Sequence, residues 1–169
     1  MNTLVQVSMI VFFVLAVPAF IGDVLAGLSR RARYIGRIGT GLTMLLGGAG
    51  VNASFLASGY DYGDFANDAK FGWVTQTWQA VMPASYMLLI GLLITFEAVV
   101  GLLILWGGRL AQVGLACAIV FHVALALFFS WFLTGYAAVM LAALALLLRA
   151  ERRPPSQPAA RRRLRHGLA

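Results

Sequence analysis

The amino-acid sequence predicts an all-α integral membrane protein with five transmembrane helices. Of its 169 residues, 61% are hydrophobic and only 11% are charged, whereas a soluble domain carries about a quarter charged residues. Apolar runs fill most of the chain up to Leu148, and the basic residues between them fall on one side. Arg30, Arg31, Arg33, Arg37, Arg109, Arg149, Arg152, Arg153, Arg161, Arg162, Arg163 and Arg165 share one face, and Lys70 alone takes the other. Flanking positive charge resists translocation, so the arginine face is expected in the cytoplasm. The amino terminus then lies outside and the carboxy terminus inside, in a multi-pass protein of the inner (plasma) membrane.

The elements follow from length and punctuation. A helix needs about 20 apolar residues to cross a bilayer core. Leu4 to Leu28 meets that length, with Pro18 as an expected kink. No basic residue precedes Arg30, so this segment is read as a retained helix rather than a secretory leader. Ser29 to Tyr34 forms a cytoplasmic loop, and a glycine-rich second span follows from about Ile38 to Leu56. The third span runs from Ala84 to Trp106, opened by Pro83 at its first turn. Gly107-Gly108-Arg109 makes a tight turn. The stretch Leu110 to Leu148 is too long for one crossing and divides at Ser130 to Gly135, giving spans 110–130 and 133–148. Trp131 and Tyr136 serve there as interfacial anchors. Residues 149–169, with Pro154, Pro155, Pro158 and a run of arginines, read as a disordered basic tail near anionic headgroups.

Small residues predict helix contacts in lipid. Gly50, Ser54 and Ser58 recur every four residues in the second span, and Gly114, Ala118, His122, Ala126 and Ser130 in the fourth. Between the second and third spans, residues 58–82 form an outer amphipathic segment in which acids alternate with aromatics. Asp64 is expected to cap a short helix starting at Phe65, and Val74, Trp78 and Val81 to share one face of an interfacial helix. Trp73 and Trp78 are its outer aromatic surface. Two uses fit: an aromatic belt at the lipid boundary, or a lid or docking surface over a site that opens outward.

Composition also excludes. The formal charge of +7 needs no nucleic-acid partner, because the arginines sit where the positive-inside bias puts them. The single cysteine, Cys117, cannot form an internal disulfide or a Cys-x-x-Cys pair. A bis-histidine haem is excluded because the second histidine, His166, lies in the tail. No cluster has zinc-site spacing. Gly47-Gly48-Ala49-Gly50 follows no strand, so it reads as helix packing and not as a phosphate cradle.

The candidate chemistry lies in three ionisable residues inside the spans, each costing about 3 kcal/mol if charged at mid-helix. Asp23 is near the arginine end, where an ion pair with an arginine is expected. Glu97 is nine residues from Trp106, about 13 Å along its helix. His122 is twelve residues from Leu110 on the neighbouring antiparallel helix, about 18 Å along it. The two depths nearly match, so a Glu97–His122 pair, direct or through water, is expected as a binding centre or proton relay, or as a packing hydrogen bond. Asn52, Thr43 and Thr95 extend the candidate network.

Arg37-Ile38-Gly39-Thr40-Gly41 opens the glycine-rich helix, and Phe96-Glu97-Ala98-Val99-Val100-Gly101 leads an aliphatic run closed by Gly107-Gly108. In these segments, from Arg37 to about Leu148, the chain resembles the DoxX-like family of small membrane proteins. It lacks that pattern's second adjacent glycine beside Gly101, and it has a helix before Arg37 that the four-helix family form does not. The resemblance implies a four-helix core and an accessory subunit of a quinone-linked or other membrane redox complex. No metal or flavin of its own is expected, and quinone is the ligand such a role suggests. The alternatives from the residues are a proton-coupled transporter using Glu97 and His122, and a scaffold without activity. The expected partners are the lipid bilayer and, on the resemblance, a membrane redox protein; association with further copies of the chain is open, and no nucleic acid is expected.

Overall fold

The computed structural model describes residues 3–153, and among them the chain is helical, with no strand. Helix α1 covers Thr3–Leu25, and α2 covers Arg30–Leu42. A π-helical stretch, Thr43–Gly50, carries α2 without a break into α3, Val51–Ala57. A 3-10 turn at Gly63–Ala66 leads to α4, Gly72–Trp106; α5 is Gly108–Phe128 and α6 is Trp131–Glu151. Among the described residues, five helices are long and apolar enough to cross a membrane: Gln6–Leu25, Arg30–Ala57, Gly72–Trp106, Gly108–Phe128 and Trp131–Glu151.

Several boundaries move from their expected places, each for a local reason. Residues 30–34 are helical rather than loop, because Ser29 accepts the Ala32 N–H at 3.0 Å and caps α2. Helix α4 starts at Gly72, so Pro83 lies inside a helix of 35 residues rather than at its start. The expected interfacial helix is thus the first third of α4. On it Val74 is buried, Trp78 half-buried and Val81 exposed. Asp64 caps no helix at Phe65; it lies within the 3-10 turn and accepts from the Asn67 amide at 2.7 Å. Helix α6 begins at Trp131, capped by Ser130, and continues through Arg149 to Glu151. The start of the expected tail is therefore helix. Its prolines and the arginine run 161–163 lie outside the described residues.

The turns gather the elements into two ends. At the arginine end Gly107 has φ +90°, a backbone that L side chains seldom adopt. It ends α4 and lets α5 fold back as its neighbour. Gln112 Nε2 donates to the Glu151 carbonyl there. At the opposite end, called here the tyrosine end, Lys70 Nζ donates to the Ala126 carbonyl and sits 4.5 Å from the centre of the Trp131 ring.

Close packing without bulky side chains joins the spans. A Cβ added at Gly36 would lie 2.8 Å from the Gly22 backbone, and one at Gly39 would lie 2.7 Å from Ala19 Cα, so α1 docks tightly on α2. The buried core comes from the other helices: Met44, Val100, Ile104, Leu115, Leu144 and Leu147. Of the two predicted stripes, Gly114, Ala118 and His122 are buried as expected. Gly50, Ser54 and Ser58 are exposed instead. The second span makes its contacts with Gly36, Thr40, Gly41, Met44 and Gly47, because the π-helical stretch rotates the face that follows it.

Candidate functional site

Glu97 and His122 are buried in mid-span on α4 and α5, and both line one small cavity of about 70 Å³. They do not hydrogen-bond to each other. Glu97 Oε2 accepts from Asn52 Nδ2 at 2.9 Å. His122 Nδ1 lies 2.8 Å from the Ala118 carbonyl. A carbonyl can only accept, so Nδ1 carries the hydrogen and Nε2 keeps the lone pair in the neutral ring.

The second span sets the cavity's opposite wall. Thr40, Thr43, Met44 and Gly48 line it, and Asn52 follows four residues further on. In an ideal α-helix each step of four residues drifts by about 40°. The wider π turns offset that drift, which keeps positions 40, 44, 48 and 52 on one face. Gly48 is small where this matters: a Cβ there would lie 2.8 Å from Glu97 Oε1. Phe12 and Ala19 of α1, Phe121 and Leu125 of α5, and Tyr136, Met140 and Leu144 of α6 complete the lining.

Two polar side chains extend the site toward the two ends. Thr40 Oγ1, on the cavity wall, donates to Asp23 Oδ2 at 2.8 Å. Asp23 is 0% exposed; the expected arginine partner is replaced by this hydroxyl, and Oδ1 has no hydrogen-bond partner among the described residues. Toward the tyrosine end, Tyr62 Oη donates to Asn52 Oδ1 at 3.0 Å. The Asn52 amide thus joins the Tyr62 hydroxyl to the Glu97 carboxyl. Burial first, and then the proximity of Glu97, Tyr86 and Tyr60, push the Tyr62 phenol up to about 12. It therefore stays protonated and remains a donor at neutral pH.

Tyr62 also lines a second, larger cavity of about 880 Å³ at the tyrosine end, bounded by residues 56–64 and by α4 from Gln79 to Met87. Trp78 supports its floor, with Nε1 donating to the Tyr62 carbonyl at 2.8 Å and its ring against Phe65 and Phe129. Trp73 is exposed and meets Phe71 and Phe128.

The predicted residues thus divide. Glu97, His122, Asn52 and Thr43 come together. Thr95 does not: it is exposed, and its hydroxyl bonds the Gly91 carbonyl of its own helix at 2.8 Å. Tyr136 is no interfacial anchor, because it sits one helical turn inside α6 with its ring 5.8 Å from that of His122. Trp131, 77% exposed, fits that role. Thr40 and Tyr62 had no distinguishing signal beyond their polarity and their places in the glycine-rich and aromatic segments. Comparisons with protein families, with curated proteins and with solved structures each find no match.

Proposed function

We propose that this protein is a small proton-coupled membrane carrier with Glu97 and His122 as its proton-exchanging centre. One observation carries the reading. Polar side chains run in series through the spans: Asp23, Thr40, the cavity shared by Glu97 and His122, Asn52, and then Tyr62 at the larger cavity. Carboxyl and imidazole groups aligned through a bundle are what intramembrane proton transfer requires. Asn52 is a positioning residue, because an amide holds a carboxyl but does not readily pass a proton on. The inner cavity has room for about two water molecules at liquid density, enough to bridge Glu97 and His122. Positive-inside orientation puts the arginine end in the cytoplasm of an inner (plasma) membrane, so the larger cavity opens outward.

Reconstitution into vesicles with an internal pH indicator tests this. After an external acid step, Glu97→Gln is expected to slow proton entry by about tenfold or more, with little change in melting temperature. Equal rates in wild type and variant, with only a lower melting temperature, would reduce the polar series to packing.

A second reading, the DoxX-like accessory subunit of a quinone-linked redox complex, draws on one contact. The two segments that carry the resemblance pack on each other: a Cβ at Gly101 would lie 2.8 Å from the Gly41 carbonyl. A quinone would use the larger cavity, since even benzene fills a cavity of roughly 150 Å³. Gentle purification of wild type and Glu97→Gln, with mass spectrometry of what accompanies each, separates the readings. A quinone or oxidoreductase lost only from the variant favours the redox subunit.

A further inference from the structure

We propose that the large cavity at the tyrosine end binds an organic cation, a quaternary or protonated amine with an apolar body. This rests on the carrier reading and names the class of its substrate.

Two features of the cavity point to positive charge. Its walls include the rings of Tyr60, Tyr62 and Tyr86. Tyr60 and Tyr62 meet at 81° with centroids 5.3 Å apart, and Tyr62 and Tyr86 meet at 41° and 6.3 Å. Tyr60 also stacks on Phe55, at 4.8 Å and 21°, and the tyrosines that line the cavity give it an aromatic wall of the kind that attracts ammonium groups. The charged residues at the rim are Asp61 and Asp64, and no Lys, Arg or His lines the cavity among the described residues. Each carboxylate uses its Oδ1 to hold the loop, Asp61 from the Gly63 N–H and Asp64 from the Asn67 amide. That leaves Oδ2 of each for a ligand. Lys70, the only Lys or Arg between Arg37 and Arg109, is held away by the Ala126 carbonyl and the Trp131 ring.

Met82 and Met87 supply a soft apolar wall, suited to a flexible apolar body. Aromatic rings and carboxylates both favour a cation and disfavour an anion. At about 880 Å³, the cavity is within the range that encloses a small organic ligand.

The test uses phenyltrimethylammonium, with benzenesulfonate as the anion of similar size, titrated into the full chain in zwitterionic nanodiscs while intrinsic tyrosine fluorescence is followed. The cation is expected to bind saturably and benzenesulfonate not at all. Tyr60→Ala is expected to weaken the cation by about tenfold. Asp61→Asn keeps an oxygen for the Gly63 N–H; it should fold normally, weaken the cation severalfold and reduce the salt dependence of binding. Equal binding of both ions, no saturable binding, or binding unchanged in both variants would overturn the proposal. Glu97→Gln separates the two readings. Cation binding that persists in this variant upholds the site whether or not proton entry falls. Proton entry through a wild-type protein that binds no cation overturns the site and leaves the carrier.

Discussion

Gly48 and the carboxyl of Glu97 touch: a Cβ placed on Gly48 would lie 2.8 Å from Oε1 and 2.9 Å from Cδ. The π-helical stretch and the buried acid are therefore fitted to each other. Gly48→Ala is expected to push the carboxyl off the Asn52 amide and lower stability by about 1–3 kcal/mol. Gly50→Ala, whose Cβ would meet nothing nearer than the Leu45 carbonyl at 3.6 Å, is the control and should be near neutral. Thermal unfolding of both variants in detergent measures the difference.

Asn52 is the donor that Glu97 has at this site. Asn52→Leu keeps the bulk and removes that donor along with the acceptor for Tyr62. The buried acid is left short of a partner, at an expected cost of about 1–3 kcal/mol. Asn52→Asp, which also lacks the amide donor, should be at least as damaging. Equal stability of wild type and Asn52→Leu would mean that Glu97 finds a substitute partner.

Asp23 and Thr40 make a single hydrogen bond at 2.8 Å across the first two spans. A double-mutant cycle with Asp23→Leu, which removes the acceptor, and Thr40→Val, which removes the donor, is expected to give a coupling of about 0.5–2 kcal/mol, the scale of polar contacts between membrane helices. A coupling indistinguishable from zero would count against the contact.

Tyr62 gives a pH dependence. Its pKa is raised from 10.0 to about 12 in the fold. Between those values the folded chain holds a proton that the unfolded chain has lost, so stability is full below about pH 10 and falls as the pH rises toward 12. Melting temperatures across that range should decline in wild type and decline less steeply in Tyr62→Phe.

Lys70 and Trp131 provide an estimate at the protein surface. Lys70→Met is expected to cost about 1–2 kcal/mol through the lost cation–π contact and the lost hydrogen bond to the Ala126 carbonyl. The loss should shrink when Trp131 is already alanine.

Much of the architecture was legible because it depends on quantities that accumulate along the chain. Run lengths give five spans, and the turn at Gly107 gives neighbouring helices. Counting residues from that turn gives Glu97 and His122 a common depth. Rotation about a helix axis is different. Thr95 is two residues from Glu97 and faces away, and the exposed Gly50–Ser54–Ser58 stripe reads as a contact only if regular α pitch is assumed through Thr43–Gly50. The glycines there permit a π-helix, but nothing in their pattern demands one. The approach of Tyr62 to Asn52 depends on a loop whose path is set by Trp78 and Phe65 from elsewhere in the sequence, which no local pattern records. Continuation of α4 ahead of Pro83 is not legible in the sequence, because proline is commoner at helix starts than inside them.

The docking of Gly22 on Gly36 has a consequence for how the chain enters the membrane. Alone in lipid, the first helix would carry Asp23 with nothing to bond it, a burden of about 3 kcal/mol if charged on insertion scales. Paired with the second helix, the same carboxyl arrives already holding the Thr40 hydroxyl. The two are thus suited to partition as a hairpin during synthesis, and a glycosylation-tagged chain cut after Leu28 should insert less completely than one cut after Ala57. Replacing Gly36 by leucine would part the hairpin and return the cost of Asp23 to the first helix, turning a folding defect into a defect of biogenesis.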